Sequence, residues 1–213
     1  MEEKAKQLEH WQKLWPDQCQ RIDRSLPIWE AAVLLPLRYG PEGWEILFEV
    51  RASDMGWQPG DICFPGGHRE DGDASLEETA RRETEEELGI APEQIRVLGP
   101  LEYFYAPMGP VIYPFAGILS YDGPLSVDRS EVAEVFSVPL EALRGEKPLV
   151  ASTAVGTQRE GLFPLPGAAS PDGSWRKLFS YDIYFYPYQG RMIWGITARI
   201  LHNFLKRLEA YGF

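Results

Sequence analysis

The sequence predicts a single α/β domain flanked by helices, and three observations predict it. Strand-like and helix-like runs alternate along the chain. No internal repeat or domain-length linker divides them. The 213 residues, 44% hydrophobic and 25% charged, suit one globular core.

Residues 1–28 read as an N-terminal helical extension. Leu8, Trp11 and Trp15 recur at helical intervals, and Pro16 ends the run. This apolar stripe suits packing onto the core or onto a second copy in a homodimer. The main domain is expected over 29–213. It opens with two strands, 29–37 and 44–51, joined by Gly40-Pro41-Glu42-Gly43 as an antiparallel hairpin. Residues 53–67, rich in Gly and Pro, read as a structured loop. A central helix follows over 75–88, stopped by Gly89. Strands are expected over 95–105, 111–120 and 132–138. Pro139 then opens a short helix. Residues 151–177 carry Gly161, Pro164, Pro166, Gly167, Pro171 and Gly173 and read as loop-heavy. A strand over 178–186, a turn at Gln189-Gly190 and an amphipathic C-terminal helix over 196–208 close the chain.

The formal net charge of −11, with no long basic run, excludes a stable nucleic-acid binder. A small phosphorylated ligand remains compatible, because a divalent cation screens carboxylates from it. The two cysteines, Cys19 and Cys63, have no zinc-ligand spacing and read as reduced thiols, with a single disulfide open beside that reading. The N-terminus lacks a basic segment followed by an apolar stretch, and runs such as 31–35 are too short to span a bilayer. A cytoplasmic protein without a membrane partner is expected.

The most informative stretch is Arg82-Glu83-Thr84-Glu85-Glu86-Glu87-Leu88-Gly89-Ile90. A helix advances about 100° per residue, which places Leu76, Ala80, Glu83 and Glu87 on nearly one side. Carboxylates at a buried edge are costly unless paired or metal-bound. Taken alone, the run fits a divalent-cation site and a solvated acidic face equally.

Phe64-Pro65-Gly66-Gly67 precedes this helix, and together they resemble the Nudix box, G-x5-E-x7-R-E-U-x-E-E-x-G-U. Gly67, Arg82, Glu83, Glu86, Glu87, Gly89 and Ile90 match. Asp73 stands where Glu is usual, the gap to Arg82 is one residue longer, and Thr84 replaces an aliphatic residue. The resemblance implies a Nudix-like α/β/α sandwich with a mixed β-sheet and metal-dependent hydrolysis of a pyrophosphate bond in a nucleotide-containing small molecule. Glu83, Glu86, Glu87 and a Gly66 carbonyl are the implied ligands of Mg²⁺ or Mn²⁺. Glu83 and Glu86 are also the implied catalytic carboxylates, with Arg82 orienting a carboxylate. The Gly66-Gly67 backbone is expected to approach the phosphates closely.

The stretch before the box resembles a second pattern, that of coenzyme A pyrophosphatases, L-L-T-x-R-[S/A]-x3-R-x3-G-x3-F-P-G-G. Leu47, Arg51, Ala52, Gly60 and Phe64 to Gly67 match, while Glu49 replaces Thr and Gly56 replaces the second Arg. Residues 111–115, 131–140 and 193–198 resemble further parts of that subfamily. Coenzyme A or an acyl derivative is therefore the implied substrate. Gly56 keeps a dinucleotide or nucleotide sugar as the alternative. Arg51 is the candidate phosphate contact. Glu131 and Glu134 lie outside the box, and Glu131 is the candidate general base or further ligand, with a plain surface role open beside it. Trp57 and Tyr105 suit core packing or base stacking, Ile193 and Trp194 core packing, and His68 a solvated loop. A non-catalytic binding module on this fold fits less well, since Glu83, Glu86 and Glu87 are intact.

Overall fold

A computed structural model describes residues 29–56, 58–105, 109–145, 147–158 and 173–212. The expected helix within 1–28, with Cys19, and the side chain of Trp57 lie outside the described residues.

β1 (Trp29–Gly40) and β2 (Gly43–Arg51) form the expected hairpin. They pair from Gly40↔Gly43 to Leu37↔Ile46 and then diverge. Beyond that point β2 pairs with β3 (Ile62–Cys63), and β1 pairs with β4 (Gly66–His68). The stretch expected as loop over 53–67 thus contains β3 and the start of β4, which fill the gap where the hairpin splays. Chain polarity makes the sheet mixed. β1 runs parallel to β7 (Pro110–Leu119), whereas β5 (Ile95–Pro100), β6 (Phe104–Tyr105) and β8 (Val132–Pro139) pair antiparallel with their neighbours. The single strand expected over 95–105 is divided. A register shift near Gly99 precedes the break, and Leu101 N–H donates to Pro114 O at 2.8 Å.

Helix α1 (Leu76–Leu88) follows its local sequence closely. The Ser75 hydroxyl accepts from Glu78 N–H, and Gly89 closes the helix at φ 65°, where a side chain would be strained. Ala80 and Leu88 pack on Ala32, Leu34, Leu47 and Phe115 of the sheet. Helix α2 (Leu140–Arg144) is short. Helix α3 (Gly195–Ala210) buries Ala198, Leu201 and Phe204 against Leu35, Ile46 and Phe48 on the opposite sheet face. Alternation along β2 feeds both cores, sending Leu47 towards α1 and Ile46 and Phe48 towards α3. The result is an α/β/α sandwich.

A second sheet has the order β11-β10-β9, formed by β9 (Leu149–Thr157), β10 (Arg176–Tyr188) and β11 (Arg191–Trp194). This corrects the loop expected over 151–177 at its two ends, 151–157 and 176–177, which are strand, while residues 159–172 lie outside the described residues. Residues 151–157 form most of β9, paired with β10 from Leu149↔Phe185 to Thr157↔Arg176. The breakers that suggested a loop fall after this strand. Trp194 is also corrected: Ile193 is fully buried, but Trp194 is 39% exposed.

Candidate metal and phosphate site

The site lies where β1 and β2 part. Gly66 sits so close to β1 that a Cβ there would fall 2.4 Å from Ala32 O and 2.6 Å from Val33 Cα. A Cβ on Gly67 would fall 2.4 Å from Glu83 Oε1. Only glycines allow the loop to lie against both the strand and the helix carboxylates. Gly66 N–H donates to Glu87 Oε2 at 2.8 Å, which ties the loop to the last turn of α1.

Arg82 organises the helix side. Its Nε and Nη2 donate to the two Asp73 oxygens, each at 3.0 Å, in a bidentate pair. Nη1 reaches Glu86 Oε2 at 3.0 Å, and Nη2 also reaches Glu83 Oε1 at 3.0 Å and His68 O at 3.1 Å. Asp73 accepts further bonds from Glu70 N–H and Thr79 Oγ1. Its carboxyl is held well below the usual range, chiefly by Arg82, and the Arg82 guanidinium is correspondingly raised by Asp73. Arg82 is thus saturated by protein groups. Glu86 is the outermost of the three box carboxylates, with 58% of its side chain exposed against 14% for Glu83. Glu87 is buried at 4%.

The structure adds a carboxylate that the functional reading of the sequence missed. Glu49 projects from β2 on the same face as Leu47, is 1% exposed and lies within hydrogen-bonding reach of Glu87. Burial raises both carboxyls, and their proximity raises Glu87 further. Glu83 is also raised by burial. Glu131 is exposed in the turn before β8, yet its charge acts on Glu49, Glu83 and Glu87 alike. Arg51 acts on Glu49 and bonds the Cys63 thiol, which burial pushes up. The fold therefore brings Glu83, Glu87, Glu131, Arg51 and Gly66-Gly67 near one another. Glu134 turns away and pairs with Arg191 at 2.5 Å. Tyr105 is 54% exposed on β6. His68 is exposed and stacks on Trp29 at 4.0 Å. Thr197 donates to Ile62 O at 3.0 Å and fixes α3 to β3.

Among the described residues, no group of three or more His, Cys, Asp or Glu side chains forms a ready ion site. The donor chemistry nonetheless fits a hard divalent cation. The donors are carboxylate oxygens, and Glu49 Oε1 is a buried oxygen without a hydrogen-bond partner among the described residues. An excess of buried negative charge is stabilised by a cation bound among the carboxylates.

This geometry accords with sequence comparison, in which a NUDIX domain family model matches residues 30–158. The chain belongs to the Nudix family. Curated relatives described as uncharacterized Nudix hydrolase NudL include one from Photorhabdus laumondii, 32% identical over 180 residues and covering 84% of each chain. Another, from Cronobacter sakazakii, is 33% identical over 175 residues, covering 82% of this chain and 80% of its own. A solved MutT/nudix family protein from Enterococcus faecalis aligns over 97% of this chain and 69% of its own. Its TM-score is 0.52 at 15% identity, which supports the Nudix fold alone. Nudix hydrolases generally use divalent metals such as Mg²⁺ or Mn²⁺, in keeping with the cluster of carboxylates.

Proposed function

We propose that residues 29–213 form a cytoplasmic hydrolase that cleaves the pyrophosphate bond of coenzyme A or an acyl-coenzyme A. The products are a phosphopantetheine and adenosine 3′,5′-bisphosphate. The buried carboxylate cluster behind the Gly66-Gly67 loop, with Arg82 bracing Glu83 and Glu86, supports metal-dependent hydrolysis, and the pattern of Leu47, Arg51, Ala52, Gly60 and Phe64 to Gly67 supports coenzyme A. Glu83, Glu86, Glu87 and the Gly66 carbonyl would hold Mg²⁺ or Mn²⁺. When bound, the metal supplies charge neutralisation on the diphosphate and an acidified water. Arg82 keeps Glu83 and Glu86 in place and does not contact substrate. Glu131, exposed in the turn before β8 with its charge acting on the buried carboxylates, is the candidate base for taking a proton from water. Arg51, at the end of β2, is the candidate cation for a substrate phosphate.

Gly56 supports a second reading, hydrolysis of a dinucleotide or nucleotide sugar. It is exposed, and among the described residues a Cβ there would meet nothing within 4 Å beyond its chain neighbours. No steric demand excludes the arginine of the coenzyme A pattern at this position. Turnover of coenzyme A, acyl-coenzyme A, dinucleotides and nucleotide sugars with Mg²⁺ and Mn²⁺ separates the readings. Coenzyme A turnover that vanishes in Glu87→Gln supports the first; silence on coenzyme A beside rapid cleavage of another diphosphate sinks it.

A further inference from the structure

We propose that Glu49 is an additional divalent-metal donor of this site, supplied by the strand rather than by the box helix. The inference rests on the metal-dependent reading above and extends its ligand set. Three observations carry it. Glu49 is 1% exposed, so its carboxylate has given up water. Its Oε1 has no hydrogen-bond partner among the described residues, an arrangement that costs free energy unless a bound group satisfies it. It faces Glu87 beneath the Gly66 loop, in a region where Glu131 adds more negative charge and Arg51 is the cation acting on it. A residue kept only for packing would be apolar here, as Leu47 is two positions earlier on the same face.

Glu49 also stands where the coenzyme A pattern places Thr. A threonine hydroxyl is not ionisable at neutral pH, whereas Glu49 brings a carboxyl group that can give an anionic oxygen to a bound cation. The change adds a carboxylate donor of the class that hard cations prefer. It would tighten metal binding without altering the helix carboxylates.

Mn²⁺ titration of the full chain by calorimetry tests the assignment, together with Mn²⁺ spin resonance and thermal unfolding in chelator. The proteins are wild type, Glu49→Gln, Glu49→Thr and Glu87→Gln. The expected result is an affinity loss of about tenfold or more in both Glu49 variants, by analogy with the loss of metal-supporting groups. An altered Mn²⁺ resonance and an unfolding temperature in chelator at or above wild type are also expected. A merely structural glutamate predicts the opposite, a lower unfolding temperature with unchanged Mn²⁺ affinity. Wild-type affinity in the Glu49 variants beside a loss in Glu87→Gln overturns the Glu49 assignment and leaves the metal site standing. Unchanged affinity in all three variants overturns the metal-site reading itself. Failure of both Glu49 variants to fold makes Glu49 a structural residue and overturns the proposal.

Discussion

Gly66 and Gly67 are adjacent, but alanine at each should fail for a different reason. In Gly67→Ala, the new Cβ would lie 2.4 Å from Glu83 Oε1 and 2.5 Å from its Cδ, against an ordinary contact of 3.4–4 Å. The carboxylate must retreat by about 1 Å, as the difference of those distances requires. A side-chain end can do so, but it gives up its 3.0 Å pairing with Arg82. Overpacking costs about 1–3 kcal/mol, offset by about 0.4–1 kcal/mol from a less flexible unfolded chain. At about 2–4 °C per kcal/mol, Tm falls by less than about 10 °C. Turnover suffers more, since a 1 Å misplacement of a reacting group costs about a hundredfold. In Gly66→Ala, the obstacle is Ala32 O and Val33 Cα, which are backbone and cannot swing aside. β4 must then detach from β1, so that Tm falls further and metal affinity is lost along with the fold. Thermal unfolding, Mn²⁺ titration and kcat on both variants check the contrast. Full turnover and full metal affinity in Gly67→Ala would falsify the packing argument.

Arg82→Lys should lower kcat/KM about 10–100-fold and weaken metal affinity, because one ammonium cannot hold Asp73 bidentately while bracing Glu83 and Glu86; steady-state kinetics reads this. Asp73 is depressed in the folded protein, so its stabilising contribution is fully present above the unfolded value of about 3.9 and is lost as pH falls through the lower folded value. Asp73→Asn should therefore lower Tm near neutrality and flatten the acid limb of the stability curve, whereas an unchanged limb assigns the acid loss to other groups. Gly56→Arg should leave stability within about 0.5 kcal/mol, since no described residue crowds the position. It should also lower KM for coenzyme A without lowering it for a dinucleotide; an unchanged KM places the position away from substrate.

The box helix is legible in the sequence because its information is local. Ser75 caps it, Gly89 ends it, and the three- and four-residue spacing places Glu83 and Glu87 at the sheet. The hairpin of β1 and β2 is legible for the same reason. β9 is not. Its residues are mostly small or exposed, with no apolar alternation, and it is a strand because β10 pairs with it. Glu49 registers in the sequence only as a departure from a pattern. A signal is nonetheless present: it alternates with Leu47, so the strand period points it into the core beneath α1. A charge at such a position needs a partner, and that need alone marks it as a site candidate.

The departures from the box are mutually consistent once placed in the fold. Asp73 is a shorter acid than the usual Glu, yet both its oxygens meet Arg82, and Thr79 and the Glu70 amide hold it from behind. Thr84 replaces an aliphatic residue at a fully buried position, and its hydroxyl donates to Ala80 O at 2.7 Å, so the helix itself satisfies the polar atom. Glu49 differs in kind from these two. Asp73 and Thr84 have their polar atoms bonded by neighbours, whereas Glu49 Oε1 has no partner among the described residues. Compensated departures are changes the fold has absorbed. The uncompensated one lies next to Glu87 where β1 and β2 separate, and a cation bound there would satisfy it and offset the repulsion among the surrounding carboxylates.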